Sequence, residues 1–224
     1  MKEFNLLEVS ASVKRDLSLR SDITFEDRLR SSEFGYDYFD GDRKLGYGGY
    51  KYDGRWVKVA QRAVKHFDLK PGDKVLDVGC AKGFFVNDLV NSCGIDAYGV
   101  DISTYALMNS IPNVSGRLHY QNMTNLLFSD STFDAVFCIN TLHNLDKVGA
   151  FSAIQEFNRV VKNSQRIFIQ VDSYRNLEDL KVFEDWVLTA KLYLSPENWL
   201  KFFRAAKFEG SYFWTILRKD GSVE

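Results

Sequence analysis

Apolar and polar positions change period repeatedly along this chain, and each change marks an element. Trp56, Val59, Ala60, Ala63, Val64 and Phe67 recur at helical spacing, so Arg55 to Phe67 is predicted to be a helix with one apolar stripe. Val75, Leu76 and Val78 then form a short continuous β-branched run, as in a strand covered on both faces, after the loop Lys70-Pro-Gly-Asp73. Helical spacing returns over Phe84 to Val90 and stops at Gly94. The alternation continues through strands at Ala97 to Val100, Arg117 to Tyr120, Phe133 to Ile139 and Arg166 to Val171. A helix over Val148 to Val161 carries Val148, Phe151, Ile154, Phe157 and Val161 on one side, and a further helix spans Leu177 to Ala190. Ser195-Pro-Glu opens another, with serine as N-cap and proline in the first turn, before the last strand at Ser211 to Leu217. Strands alternating with helices predict an α/β fold, doubly wound on a mostly parallel sheet, with an antiparallel C-terminal strand expected.

Upstream of Arg55 the periodicity fails. Residues 1 to 34 set charges among apolar positions, as in Val13-Lys-Arg-Asp-Leu-Ser-Leu-Arg20, and predict a mobile or partly helical extension. From Gly35 to Trp56 lie six of the 15 glycines and five of the 11 tyrosines, too many glycines for a helix and too many aromatics for a solvated linker. This stretch is expected either to fold over a ligand as a lid, with Tyr47, Tyr50 and Arg55 facing it, or to pack as a static aromatic loop. The chain therefore divides into an N-terminal extension and lid, 1–54, and a ligand-binding domain, 55–224.

Composition adds exclusions. At 224 residues, 45% hydrophobic and 26% charged, the chain suffices for one α/β domain with an appendage. A net charge of −1 leaves no basic footprint, so no nucleic-acid partner is expected. Cys80, Cys93 and Cys138 lack disulfide or zinc spacing and point to a reducing compartment, the cytoplasm. No signal peptide or membrane span is expected, no histidine and acid set has metal-ligand spacing, and the oligomeric state is left open.

Candidate chemistry concentrates where the Lys74 to Val78 strand breaks into a turn, Asp77-x-Gly79-x-Ala81-x-Gly83. This is not the G-x-G-x-x-G spacing that seats a pyrophosphate on a helix N-terminus. A carboxylate two residues before the first glycine repels phosphate and suits a ligand bearing an ammonium group. Asp101 follows Gly79 by 22 residues, where an acid can accept hydrogen bonds from ribose hydroxyls or cap the helix opening at Ile102.

These residues resemble the first motif of the class I S-adenosylmethionine-dependent methyltransferases, with Ala81 in place of the usual middle glycine. The resemblance implies a Rossmann-like fold and S-adenosylmethionine as cofactor. It implies cofactor contacts from Asp77, Gly79, Cys80, Ala81, Gly83, Asp101, Ile102 and Asn140, with Asn122 and Met123 at the adenine edge. Tyr38-Phe-Asp-Gly-Asp-Arg43, Gly46-Tyr-Gly-Gly-Tyr50, Tyr52-Asp-Gly-Arg-Trp56, Thr141-Leu-His-Asn-Leu145 and Val171-Asp-Ser-Tyr174 look like a bacterial subgroup linked with surface-polysaccharide or other small-molecule biosynthesis.

The carboxyl ends of the later strands supply the acceptor side. Asn140, His143 and Asn144 follow one strand, while Asp172 and Tyr174 end the next, so His143, Asp172 and Tyr174 are expected to lie together. His143 is the candidate general base, or else a histidine bonded to loop backbone. The expected reaction is methyl transfer to an O or N atom of a small-molecule or glycan acceptor. The competing readings are a nicotinamide oxidoreductase and a non-catalytic S-adenosylmethionine-binding domain.

Overall fold

A computed structural model describes residues 1–10 and 14–223. The part of the extension at 11–13 lies outside the described residues. In chain order the elements are β1 (Lys2–Glu3), α1 (Phe25–Ser32), α2 (Tyr36–Phe39), α3 (Trp56–Phe67), β2 (Lys74–Val78), α4 (Phe84–Cys93), β3 (Asp96–Asp101), α5 (Thr104–Met108), β4 (Leu118–Tyr120), β5 (Ala135–Ile139), α6 (Lys147–Val160), β6 (Ile167–Ser173), α7 (Leu177–Trp186), α8 (Pro196–Ala205) and β7 (Ser211–Ile216). Short 3-10 turns at Leu6–Val9 and Leu17–Arg20 give the extension its only described helical pieces before α1.

The strands form one seven-stranded sheet in the order β1-β7-β6-β5-β2-β3-β4. Every pairing in it is parallel, including β6 with β7, where Phe168 opposes Ser211 and Ser173 opposes Ile216. The expected antiparallel C-terminal strand is therefore corrected. Helix α8 carries the chain back across the sheet before β7 begins, and a strand entered through such a crossover runs parallel to its predecessor. Beyond β7 the chain turns back only as far as one antiparallel bridge, Leu217 to Val223. The free edge of β7 is taken by β1 from the N-terminus.

Consecutive strand residues go to opposite cores, as the two-residue period of a strand requires. Val75, Ala97, Ala135, Phe137 and Phe168 pack with Val59, Ala63 and Phe67 of α3 and Phe85 and Leu89 of α4. Leu76, Val78, Val136, Cys138, Ile169 and Val171 face the other way, onto Ile154 and Phe157 of α6 and Trp199 and Phe203 of α8. The extension joins the first core: Leu6 is buried there, and Phe4 stacks on His66 with ring centroids 3.7 Å apart. His66 also bonds Ser211 Oγ at 2.8 Å, which fastens the extension's edge of the sheet. The α7 helix ends at Trp186, four residues short of the expected Ala190.

With every strand parallel, β2, β3, β5 and β6 end on one edge. The chain crosses from β2 to β3 on one side and reaches β5 on the other, so the crevice opens beyond the end of β2.

Candidate active site

Two cavities meet at that crevice and share Tyr47, Gly79, Ala81, Asn140 and Thr141. The first is floored by Val78, Val100, Asp101, Ile102 and Met123 and roofed by Phe34, Tyr38, Phe39 and Tyr47. The second runs outward past Asp77, Cys80, Gln170 and Thr215 to the extension at Lys14 and Arg15.

The glycine turn makes room at this junction. Gly79 has φ +80°, and a Cβ there would lie 2.4 Å from Thr141 side-chain atoms, so only glycine lets the backbone come this close to the strand-five loop. Ala81 holds a left-handed φ of +50° despite its side chain, and Asn140 does the same at +53° at the end of β5. Asn140 is pinned there by its own N–H donating to the Gln170 carbonyl at 2.9 Å, and its Oδ1 accepts from Thr215 Oγ1 at 2.9 Å. Gly83 serves differently from the expectation. It lines neither cavity, and a Cβ would strike Leu118 at 2.7 Å, so its work is packing α4 against β4.

The two carboxylates differ in what holds them. Asp101 accepts the Ala81 N–H on one oxygen and the Ser103 N–H on the other, each at 2.8 Å. The helix that follows is capped by Ser103, whose Oγ accepts from Ala106 N–H at 2.9 Å, so Asp101 keeps free lone pairs toward the cavity. Asp77 is only 5% exposed and its carboxylate has no basic partner among the described residues. Burial, reinforced by the charge of Asp101, pushes its pKa up to about 8. A buried acid lining a cavity without a cation is a seat for a cationic ligand group, and the ammonium of S-adenosylmethionine fits it. Asp101 fits the ribose, and Ile102 and Met123 fit the apolar faces of an adenine.

Of the adenine-edge pair, Met123 lines the cavity and Asn122 does not. Asn122 is exposed, with Oδ1 accepting from both Thr124 N–H and Thr124 Oγ1 at 3.0 Å. Gln121 lines the cavity in its place. An Asx turn claims the amide that the motif suggested.

The acceptor group divides. Asn144 lines the first cavity and accepts from Thr189 Oγ1 at 2.9 Å. His143 and Asp172 do lie together, with Nε2 to Oδ2 at 3.4 Å. The Asp172 N–H donates to His143 Nδ1 at 3.0 Å, which leaves the ring proton on Nε2, facing the carboxylate. With Nδ1 taken by the backbone and Nε2 left to carry the proton, the ring has no free lone pair, so the geometry favours the backbone-bonded reading of His143 over the general base. Burial raises the Asp172 pKa and His143 opposes that rise. None of His143, Asp172 and Tyr174 lines either cavity; their neighbours Asn144 and Gln170 do, so the expected acceptor trio lies behind the cavity walls, and of the three only His143 and Asp172 are brought together. Arg55 lines the outer cavity but is paired with Asp53.

The Gly35 to Trp56 segment lies across the site as a connected aromatic layer. Tyr47 meets Tyr50 with centroids 4.5 Å apart, Tyr50 stacks on Phe84 at 4.6 Å, and Phe39 touches Tyr47, Tyr50 and Tyr105. Beneath it Lys82, inside the glycine turn, donates to both oxygens of Asp40 at 2.8 and 2.6 Å and to the Tyr50 carbonyl at 3.0 Å. Tyr105 adds a hydroxyl to Asp40 at 2.7 Å. Asp40 falls in the Tyr38 to Arg43 stretch and Lys82 in the glycine turn, but nothing in the sequence paired them. Asp40→Ala is expected to strand the nearly buried Lys82 ammonium, cost ~2 to 3 kcal/mol, and speed hydrogen exchange across residues 35–56. Unchanged exchange there would show that this ion pair does not hold the segment down.

Residues 76–169 match the family described as a methyltransferase domain. Cycloartenol-C-24-methyltransferase 1 of Oryza sativa subsp. japonica is 29% identical over 148 residues, covering 58% of this chain and 42% of its own length. Phosphoethanolamine N-methyltransferase 3 of Arabidopsis thaliana is 30% identical over 119 residues, covering 50% of this chain and 24% of its own. The chain thus spans less than half the length of both relatives. Among solved structures, a chain from the complex between the Haloferax volcanii Trm112 methyltransferase activator and a methyltransferase-like protein superposes with TM-score 0.54 at 16% identity, covering 88% of this chain and 77% of that one. At that identity the likeness shows the fold alone.

Proposed function

We propose that this chain, whose residues 76–169 match a methyltransferase domain, is an S-adenosylmethionine-dependent methyltransferase that methylates an O or N atom of a small molecule held in the outer cavity. The observation that carries this reading is the junction of the two cavities at Gly79, Asn140 and Thr141, with the unpartnered Asp77 beside it. When bound, S-adenosylmethionine supplies a methyl group made electrophilic by its sulfonium. Asp77 would hold the ammonium, Asp101 the ribose hydroxyls, and Ile102 and Met123 the adenine faces. Cys80 and Ala81 supply the turn that closes on it.

The residues of the chain then have three tasks. The roof of Phe34, Tyr38, Phe39 and Tyr47 excludes water, and segment 35–56 acts as the lid that admits ligands. Tyrosine faces near a sulfonium add cation-π stabilisation on the order of 0.5 to 2 kcal/mol. The polar floor of Asn140, Thr141, Gln170 and Thr215 orients the acceptor for in-line attack, which is where most of the rate comes from. Such a floor suits a hydroxyl-rich acceptor, and this supports a sugar or other precursor of a surface polysaccharide as one acceptor class. The three cysteines are free thiols, which supports a cytoplasmic setting. Asp77 stands where a dinucleotide's pyrophosphate would be repelled, so a nicotinamide enzyme is the weaker reading.

The test pairs thermal-shift titrations of S-adenosylmethionine, S-adenosylhomocysteine and NADH with transfer of labelled methyl to fractionated metabolites. Ligand at 100 times its dissociation constant adds ~2.7 kcal/mol of stability. Stabilisation by NADH alone would overturn the proposal, and binding of S-adenosylmethionine without transfer to any fraction would leave a non-catalytic binding domain.

A further inference from the structure

We propose, on the footing of the methyltransferase reading above, that the acceptor carries an anionic group, phosphate or carboxylate, which Arg15 and Arg43 bind at the outer end of the second cavity. Both arginines line that cavity. The charges around it do not balance once existing partners are counted. Glu8 is taken by Arg62 at 2.5 Å, Asp53 by Arg55, and Asp16 by the Ser18 N–H and hydroxyl. Asp77 is reserved for the cofactor ammonium. On the cationic side Lys14 pairs with Asp220 at 3.1 Å. Arg15 and Arg43 make no ion pair with a carboxylate among the described residues, and Lys51 beside them makes none either.

The fold spends structure on keeping these arginines together. Arg15 is fixed through its backbone: its N–H donates to the Gly221 carbonyl at 2.7 Å, and a Cβ on Gly221 would lie 2.1 Å from the Arg15 carbonyl oxygen. Arg43 donates one guanidinium N–H to the Gly46 carbonyl and lies 5.5 Å from the centre of the Trp186 ring, which also lines the cavity. Behind them Arg20 is buried and bonded only to carbonyls, those of Arg43, Lys44, Gly46 and Trp186. Burial and the charge of Arg43 lower its pKa to about 9. Three guanidiniums, none of them in an ion pair among the described residues, repel one another, with the Asp172 carboxylate acting on Arg15 only at a distance, and an anion placed at their open side relieves that repulsion. The Arg15 side chain makes no hydrogen bond within the described structure, so all its donors are available.

The experiment titrates inorganic phosphate, and separately acetate, into the full chain saturated with S-adenosylhomocysteine, at ionic strength fixed with chloride, read by calorimetry. At least one anion is expected to bind the wild type. Arg15→Glu should weaken that binding at least about tenfold, Arg15→Lys should retain most of it, and Lys181→Glu, exposed and outside the cavity, should leave it unchanged. Whichever anion binds better assigns phosphate or carboxylate. Absence of binding by both anions, or equal losses in Arg15→Glu and Lys181→Glu, would overturn the proposal. S-adenosylhomocysteine affinity is measured first on the same samples. Its failure would remove the methyltransferase reading itself, whereas its success without anion binding would remove only the anionic acceptor.

Discussion

Asp77→Asn is expected to stabilise the ligand-free protein at pH 8 while removing most of its affinity for S-adenosylmethionine. The side chain is 5% exposed, faces Asp101, and has a folded-state pKa of about 8 against an ordinary value of 3.8. A carboxyl whose pKa is raised by folding holds its proton more tightly when folded, so the protein is most stable below the unfolded value. Stability then falls as pH rises between about 4 and 8, as the buried group is made to ionise. At 1.36 kcal/mol per unit the full span approaches ~6 kcal/mol, and relaxation around the charge makes ~2 to 5 kcal/mol the reasonable range. Asparagine keeps the shape and never ionises, so the variant should lose this slope and gain the difference at pH 8. The same change removes a buried carboxyl, lining the cavity, that a bound ammonium would draw into its ionised form, a charged hydrogen bond worth ~1.5 to 3 kcal/mol of binding. Urea denaturation from pH 4 to 8, beside calorimetry with S-adenosylmethionine, checks both halves. A variant with the wild-type pH slope would mean that Asp77 is already paired or solvated.

The central strands β2, β5 and β6 were legible because they are buried on both faces and read as apolar runs, whereas β1, exposed at both residues, left no signal. Asp77, Gly79 and Asp101 were legible because a close backbone approach and two differently placed acids leave a local signature. The direction of β7 could have been read too, since the helix capped by Ser195 sits between β6 and β7 and forces a parallel return. Asn122 misled because side-chain amides answer to the nearest N–H, and Thr124 was nearer than any ligand. The pairing of Lys82 with Asp40, and the gathering of Arg15 and Arg43 on one cavity, were invisible because they join residues far apart in the chain. Charge alone says nothing about which partner a long side chain will find.

Asp172→Asn is expected to reduce turnover by about 10² to 10⁴ if the acceptor is a hydroxyl, while His143→Ala costs less than about tenfold. The two residues form one unit, but only one of them has a vacant acceptor site. His143 Nδ1 receives the Asp172 N–H, so the ring proton sits on Nε2, which lies 3.4 Å from Asp172 Oδ2. A base needs a lone pair free to take a proton, and the imidazole has none left. The carboxylate retains lone pairs, its side chain is 20% exposed although it lines neither cavity, and burial raises its pKa above the ordinary value. His143 then acts by orienting that carboxylate, much as a second group orients the base in other catalytic pairs. The turnover of the wild type should rise with pH as Asp172 ionises, and Asp172→Asn should flatten that limb. His143→Ala should shift the limb upward in pH, because the histidine holds the Asp172 pKa down. Cofactor affinity should change little in either variant, since neither residue lines the cofactor cavity. Single-turnover transfer measured across pH decides between the two. A loss of 10² or more in His143→Ala, with the limb abolished rather than shifted, would return the proton to the histidine.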